Sequence, residues 1–275
     1  MKWRVILHLL GVCVAVIGLL AIIKGGHSVF AKGESYAIAG EAITITEPIR
    51  ELKIDWVSGG IDIEVHDGPG IVFSEQSSRE LGERERLRYK IDGERLTISF
   101  STSGFTFGWN ASKHLTVLLP RTALALLDID NVSGEVRVSG VTADEVKVDT
   151  VSGELALTSI AAGDLRINSV SGDATIALSA PPQKVKMDSV SGDCDLALPE
   201  GYGFTAKLDS VSGKLRCSFA SAAKGEALVY GDGAADLDFD SVSGDVEIAF
   251  AEPVIVEAVP TREPGDTAPA SGRSF

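Results

Sequence analysis

"KMDSVSGDCDLAL" at residues 186–198, "KLDSVSGKLRCSF" at 207–219 and "DFDSVSGDVEIAF" at 238–250 are one phrase written three times. Each places Asp-Ser-Val-Ser-Gly between two short runs in which apolar and polar residues alternate. Alternation of period two marks a strand with one buried face. The Gly that closes Val-Ser-Gly recurs at 59, 134, 153, 172, 192, 213 and 244, with steps of 19, 19, 20 and 21 between 134 and 213. The step from 59 to 134 equals about four such periods, and "GIVFSEQ", "RLRYKIDGERLTISF" and "HLTVLLP" inside it are strand-like runs that degenerate turns could supply. The step from 213 to 244 reads as one period plus an insertion around "AAKGEALVYGDG".

Aligned on that Gly, the columns differ in chemistry. Apolar pairs stand seven and five residues before it, as in Val146 and Val148 or Leu165 and Ile167, and again two and four after it, as in Leu155 and Leu157. The Val two before the Gly (Val132, Val151, Val170, Val190, Val211, Val242) is the next apolar position, a step of three, and reads as an inward residue at a corner. Gly tolerates the positive φ of a tight bend, and the Ser hydroxyl can satisfy a backbone group that the bend leaves unpaired. Each repeat is then strand, corner, strand, loop. Two short strands cannot bury a face alone, but stacked units make a continuous core. The fold class is all-β, a β-solenoid of roughly 20-residue coils, and nine or ten turns would make a rod of about 45 Å.

An acidic column lies four before the Gly: Asp55, Asp130, Asp149, Asn168, Asp188, Asp209 and Asp240. Stacked carboxylates suggest calcium, yet Lys53, Lys147, Arg166, Lys186 and Lys207 stand two residues earlier on the same outward face and can neutralise them. No calcium-loop motif accompanies them. The reading assigns neither metal nor cofactor. A polysaccharide-active β-helix enzyme is the alternative from another class, and it would need a polar cluster that breaks the columns. None is evident: His8, His27, His66 and His114 are scattered, so no His-centred triad or zinc site forms. Cys194 and Cys217 read as inward core residues of adjacent coils, two residues out of register, which would strain a disulfide.

One segment interrupts the pattern. "GFTFGWN" puts Phe105, Phe107 and Trp109 on alternate positions between Gly104 and Gly108. They are either a cover for the core or an exposed aromatic face for an envelope protein or a glycan, and are the candidate binding residues. "NAS" at Asn110 matches a glycosylation acceptor by spelling alone.

The ends of the chain read differently from its middle. Val5 to Ile23, "VILHLLGVCVAVIGLLAII", is long and apolar enough to span a bilayer as a helix. A cleaved leader ending at Ala31 is the alternative, although the apolar run exceeds the usual core of such peptides. The segments are therefore 1–31, a stub, membrane helix and linker; 32–258, the solenoid, with its regular repeats at about 120–250; and 259–275, a disordered Pro-rich tail. The partner implied is the membrane, with the repeats outside the cytoplasm. Nucleic acid is excluded by a net charge of −14.

The corner phrases, the first copy "LKIDWVSGGIDIEV" at 52–65, and "LTVLLP" followed by "LDIDNVSGEVRV" resemble the bacterial putative-adhesin β-strand-repeat family, a domain of unknown function. The resemblance covers roughly residues 45–250. It implies a right-handed single-stranded β-helix and a non-enzymatic cell-envelope protein, some relatives being linked to envelope-stress signalling. It supplies no catalytic or ligand residues to carry over.

Overall fold

The computed structural model describes residues 37–38, 42–101, 112–218, 222–224 and 227–251. The Val5–Ile23 span, the Phe105, Phe107 and Trp109 segment, Asn110 and the 259–275 tail lie outside these residues. Every described element is a strand, and no helix among the described residues is long and apolar enough to cross a membrane. In chain order the strands are β1 (Ala37–Ile38), β2 (Ile43–Ile45), β3 (Glu51–Ser58), β4 (Ile61–His66), β5 (Ile71–Ser77), β6 (Arg88–Asp92) and β7 (Arg95–Ser99). There follow β8 (Lys113–Pro120), β9 (Leu124–Ser133), β10 (Val136–Ser139), β11 (Thr142–Ser152), β12 (Leu155–Ser171), β13 (Ala174–Leu178) and β14 (Lys184–Ser191). The last are β15 (Cys194–Leu198), β16 (Phe204–Ser212), β17 (Leu215–Cys217), β18 (Ala222–Lys224), β19 (Ala227–Tyr230), β20 (Ala235–Ser243) and β21 (Val246–Phe250).

The strand before each Val-Ser-Gly corner joins one sheet and the strand after it joins a second, so successive coils stack in parallel register. In the first sheet the order is β1-β6-β7-β3-β9-β11-β12-β14-β20-β16-β19-β18. In the second it is β2-β5-β8-β4-β10-β12-β13-β15-β21-β17. β12 belongs to both and turns between them at Ser159, whose φ is 55°. The arrangement is all-β and solenoid-like, with antiparallel strands covering the N-terminal end of both sheets and the C-terminal end of the first. Such strands blunt edges that would otherwise recruit another chain.

Side chains stack as the alternation requires. Ile54, Ile129, Val148, Ile167, Met187 and Phe239 form one buried column of the first sheet, and Ile63, Val138, Leu157, Ile176, Leu196 and Ile248 one of the second. Each fully buried Val, Ile or Leu contributes roughly 1.5–3 kcal/mol.

The corners differ from their sequence reading in one respect. The corner valines are not in the core: Val132, Val151, Val170, Val190 and Val242 are half-buried on the outside, and Val211 is 37% exposed. Strand alternation continues one residue further than the apolar pattern suggested, so the inward position is the one three before the Gly. It is occupied by Asn131, Thr150, Ser169, Ser189 and Ser241, all buried, with Trp56 heading the column. Asn131 Nδ2 donates to the Gly134 carbonyl (2.9 Å) and Ser189 Oγ to the Ser191 carbonyl (3.1 Å), whereas Thr150, Ser169 and Ser241 find no partner.

The second Ser of the phrase does serve the bend. Ser133, Ser152, Ser171 and Ser191 each donate to the corner-valine carbonyl of the preceding coil at 3.2–3.4 Å. The Gly is required twice over. At Gly153, φ is 124° and a Cβ would stand 2.1 Å from the Gly134 carbonyl oxygen.

Two expectations about stacking order fail. No turns fill the interval between Gly59 and Gly134, because β3 and β4 pair directly with β9 and β10. The intervening strands instead build the N-terminal end outward from β3 and β4. Seven corners in contact span about 30 Å rather than 45 Å. At the other end the coil of β20 and β21 lies between those of β14–β15 and β16–β17, although it comes last in the chain. That order also separates the cysteines: Cys194 pairs with Val246 and Cys217 with Ile248, so β21 runs between them, and both thiols are free.

Candidate functional site

The outward face of the first sheet carries its charges in two columns. Register places Asp55, Asp130, Asp149, Asn168, Asp188, Asp240 and Asp209 in one line. The line beside it runs Lys53, Asp128, Lys147, Arg166, Lys186, Asp238 and Lys207. The sequence reading saw the cations of that second line and missed that Asp128 and Asp238 sit between pairs of them. Lys53 Nζ lies 2.6 Å from Asp130, 3.0 Å from Asp128 and 3.5 Å from Asp55. Lys147 reaches Asp149 at 2.6 Å and Asp128 at 3.4 Å, and Lys186 reaches Asp188 at 2.7 Å. Asn168 completes the line by donating to Asp149 at 2.5 Å.

Shared cations leave some acids short of charge. Burial pulls the Lys53 ammonium down in pKa, but Asp55, Asp130 and Asp128 together outweigh it and the net shift is upward. Asp55 and Asp130 form their ion pairs with Lys53, which Asp128 also shares, so burial prevails on Asp130 and pushes it up to about 6. Asp55 moves upward too, again chiefly through burial. At the other end Asp240 is pushed up to about 6 by burial and by Asp188, its register neighbour. Asp188 Oδ1 is itself buried without a donor. Among the described residues no group of three or more His, Cys, Asp or Glu converges to hold a metal ion.

On the second sheet a shallow outer groove is lined by Asp62, Glu64, Arg137, Ser139 and Thr158. Asp62 is held there by His114 Nε2 (2.8 Å) and Arg137 (3.4 Å), and the other described histidine, His66, contacts the Gly70 carbonyl (3.0 Å). Both imidazoles thus serve single neighbours.

Among the described residues the most buried charge is a cation at the head of a strand. In "KHLTVLLP" the inward positions are Lys113, Leu115, Val117 and Leu119, so a cation opens an apolar series. The Lys113 side chain is 1% exposed, its Nζ 2.7 Å from Glu75 and 2.8 Å from the Glu85 carbonyl. It also donates to the Phe100 carbonyl and sits over the Phe100 ring at 4.0 Å and the Trp56 ring at 5.1 Å. The Phe100 ring meets Trp56 edge-on at 4.9 Å. One ammonium therefore ties together Phe100 and Lys113, the two stems of the segment that contains Phe105, Phe107 and Trp109.

The Toastrack DUF4097 family model matches residues 49–258. A crystal structure of a putative cell adhesion protein from Clostridium sporogenes is similar at 15% identity and a TM-score of 0.51, covering 77% of this chain and 98% of that one. Putative adhesins from Bacteroides fragilis (15% identity, 76% and 98% coverage, TM-score 0.38) and Parabacteroides merdae (13%, 80% and 98%, 0.29) are more distant. No curated protein matches the chain.

Proposed function

Because this chain belongs to the Toastrack DUF4097 family, a domain of unknown function, we propose that it is a non-enzymatic cell-envelope protein that displays its repeats for binding or adhesion. In this reading Val5–Ile23 is a single-pass membrane anchor, the repeats lie outside the cytoplasm, and the coils wind as a right-handed single-stranded β-helix. The observation that carries it is the clamp at Lys113. A buried cation that joins Phe100 to Lys113 fixes the two points between which the 102–111 segment runs, and in this reading Phe105, Phe107 and Trp109 are offered there to an envelope protein or a glycan. A likeness to proteins described as adhesins agrees with that use.

The test is photo-crosslinking in intact cells from probes placed at 103 and 111 of the full chain, on either side of the three aromatic residues. Capture of an envelope protein or glycan that disappears when all three residues are Ser supports the reading. Identical capture from the triple-Ser chain, or protection of the repeats from protease added to spheroplasts, overturns it. The identity of the captured molecule separates adhesion from envelope-stress signalling.

A further inference from the structure

The coil of β20 and β21 occupies a slot that the chain leaves and later returns to fill. From Gly134 to Gly192 each coil lies on its sequence neighbour, but β14 and β16 are both bonded to β20, and β15 and β17 both to β21. We infer that this slot is a strand-acceptor site that takes the same coil, residues 235–250, from a second copy of this chain. This inference is independent of the proposed function.

Three features of the slot support exchange. Its occupant and both walls carry the same five residues, at 188–192, 240–244 and 209–213, in one register: Asp188 with Asp240 with Asp209, and Ser189 with Ser241 with Ser210. A coil from another molecule therefore meets the same hydrogen bonds and the same core columns as the chain's own. Departure of the coil leaves the facing edges of β14 and β16 with unpaired backbone groups, which are a template for pairing with another chain.

The third feature is the crossover. Residues 231–234 carry the chain from β19, on one side of β16, over Gly203 to β20 on the other side. That crossing is at contact distance. A Cβ on Gly203 would stand 2.2 Å from Asp232 Oδ1 and 2.5 Å from its amide nitrogen, and a Cβ on Gly231 would stand 2.9 Å from Gly203 Cα. Gly231 and Gly233 hold φ of 60° and 72°. Short, tight connections are the ones that exchange, because a donated element lets the hinge extend while every other contact is recovered.

The test uses full chains in which Cys13, Cys194 and Cys217 are replaced by Ala. Lys186 and Asp238 are register partners across β14 and β20. One tagged chain carries Lys186→Cys, a differently tagged chain carries Asp238→Cys, and the two are co-expressed and oxidised. Exchange yields a disulfide-linked heterodimer bearing both tags. Pairing Asp238→Cys with Lys147→Cys yields none, since Lys147 faces β9 and β12. Gly203→Ala, which crowds the crossover, should raise the heterodimer yield several-fold. The double variant Lys186→Cys, Asp238→Cys in one chain closes an internal disulfide and shows that the register survives substitution. With the register so verified, no heterodimer, or equal linkage through Lys147→Cys, overturns the proposal.

Discussion

Gly134 lies against Gly59 so closely that a Cβ on Gly134 would stand 2.1 Å from the Gly59 carbonyl oxygen. The same contact recurs up the corner column, between Gly153 and Gly134 and between Gly172 and Gly153. Backbone touches backbone there, so no side chain can give way.

Gly153→Ala should therefore cost at least about 3 kcal/mol, combining strain at positive φ with a clash that must push neighbouring coils away from each other. Gly93→Ala is the comparison: φ is 60° but nothing lies within 4 Å of the added carbon. It should cost only about 1 kcal/mol of backbone strain. Chemical denaturation of both variants reads the difference, and equal losses would mean that conformation alone, not the contact, selects Gly.

The inward corner column makes an unusual forecast for Thr150. Its hydroxyl is buried without a partner, so Thr150→Val removes an unsatisfied group at nearly constant shape and should leave the melting temperature unchanged or higher. Val190→Thr, on the half-buried outer side, should cost less than about 1 kcal/mol. Ile167→Asp, two positions before the column residue Ser169 in β12, should cost several kcal/mol. Thermal melts that ranked Val190→Thr with Ile167→Asp would return the valine to the core.

Asp130 and Asp240 set a pH dependence. A carboxyl near 6 in the fold, against roughly 4 unfolded, binds its proton more tightly when folded. That stabilisation is fully present below the unfolded value and is lost as pH rises through about 6. Glu85, lowered to about 2 chiefly by Arg79 and the Gly82 amide, works in the opposite direction and only below about pH 4.5. Melting temperature should thus be higher at pH 5 than at pH 7.5. The double variant Asp130→Asn, Asp240→Asn should flatten that slope; an unchanged slope would assign it to the net charge of −14 instead.

Lys113→Ala should cost about 3–5 kcal/mol, because it leaves Glu75, 9% exposed, as a buried charge without its cation. Lys113→Met with Glu75→Gln should recover most of the loss. A double variant as unstable as the single one would show that the ammonium matters through Phe100 and the Glu85 carbonyl rather than through the ion pair.

Alternation and the corner phrase made the strands and bends readable, because a period of two and a Gly at positive φ are local properties of the chain. The inward corner position was misread because Val, not Thr150 or Ser169, is the residue that hydrophobicity assigns to a core. Coil order was not readable for a different reason. When 188–192, 209–213 and 240–244 are spelled identically, any of them can lie on any other, and the sequence carries no mark of which neighbour is chosen. Long-range order came instead from what interrupts the repeat: the strands between Gly59 and Gly134, and the crossover at Gly231. The Lys113 clamp was legible as a cation at the head of an apolar series.

The returning coil also bears on how the molecule responds to force. A linear stack loaded at one end ordinarily peels, breaking one bond at a time from its last rung. Here a pull at Ala251 acts on β21 and β20, which are held on both flanks by parallel ladders along their length. To yield, both ladders must slide at once, in shear, so the end of the chain that could have been its weakest rung behaves as a wedge.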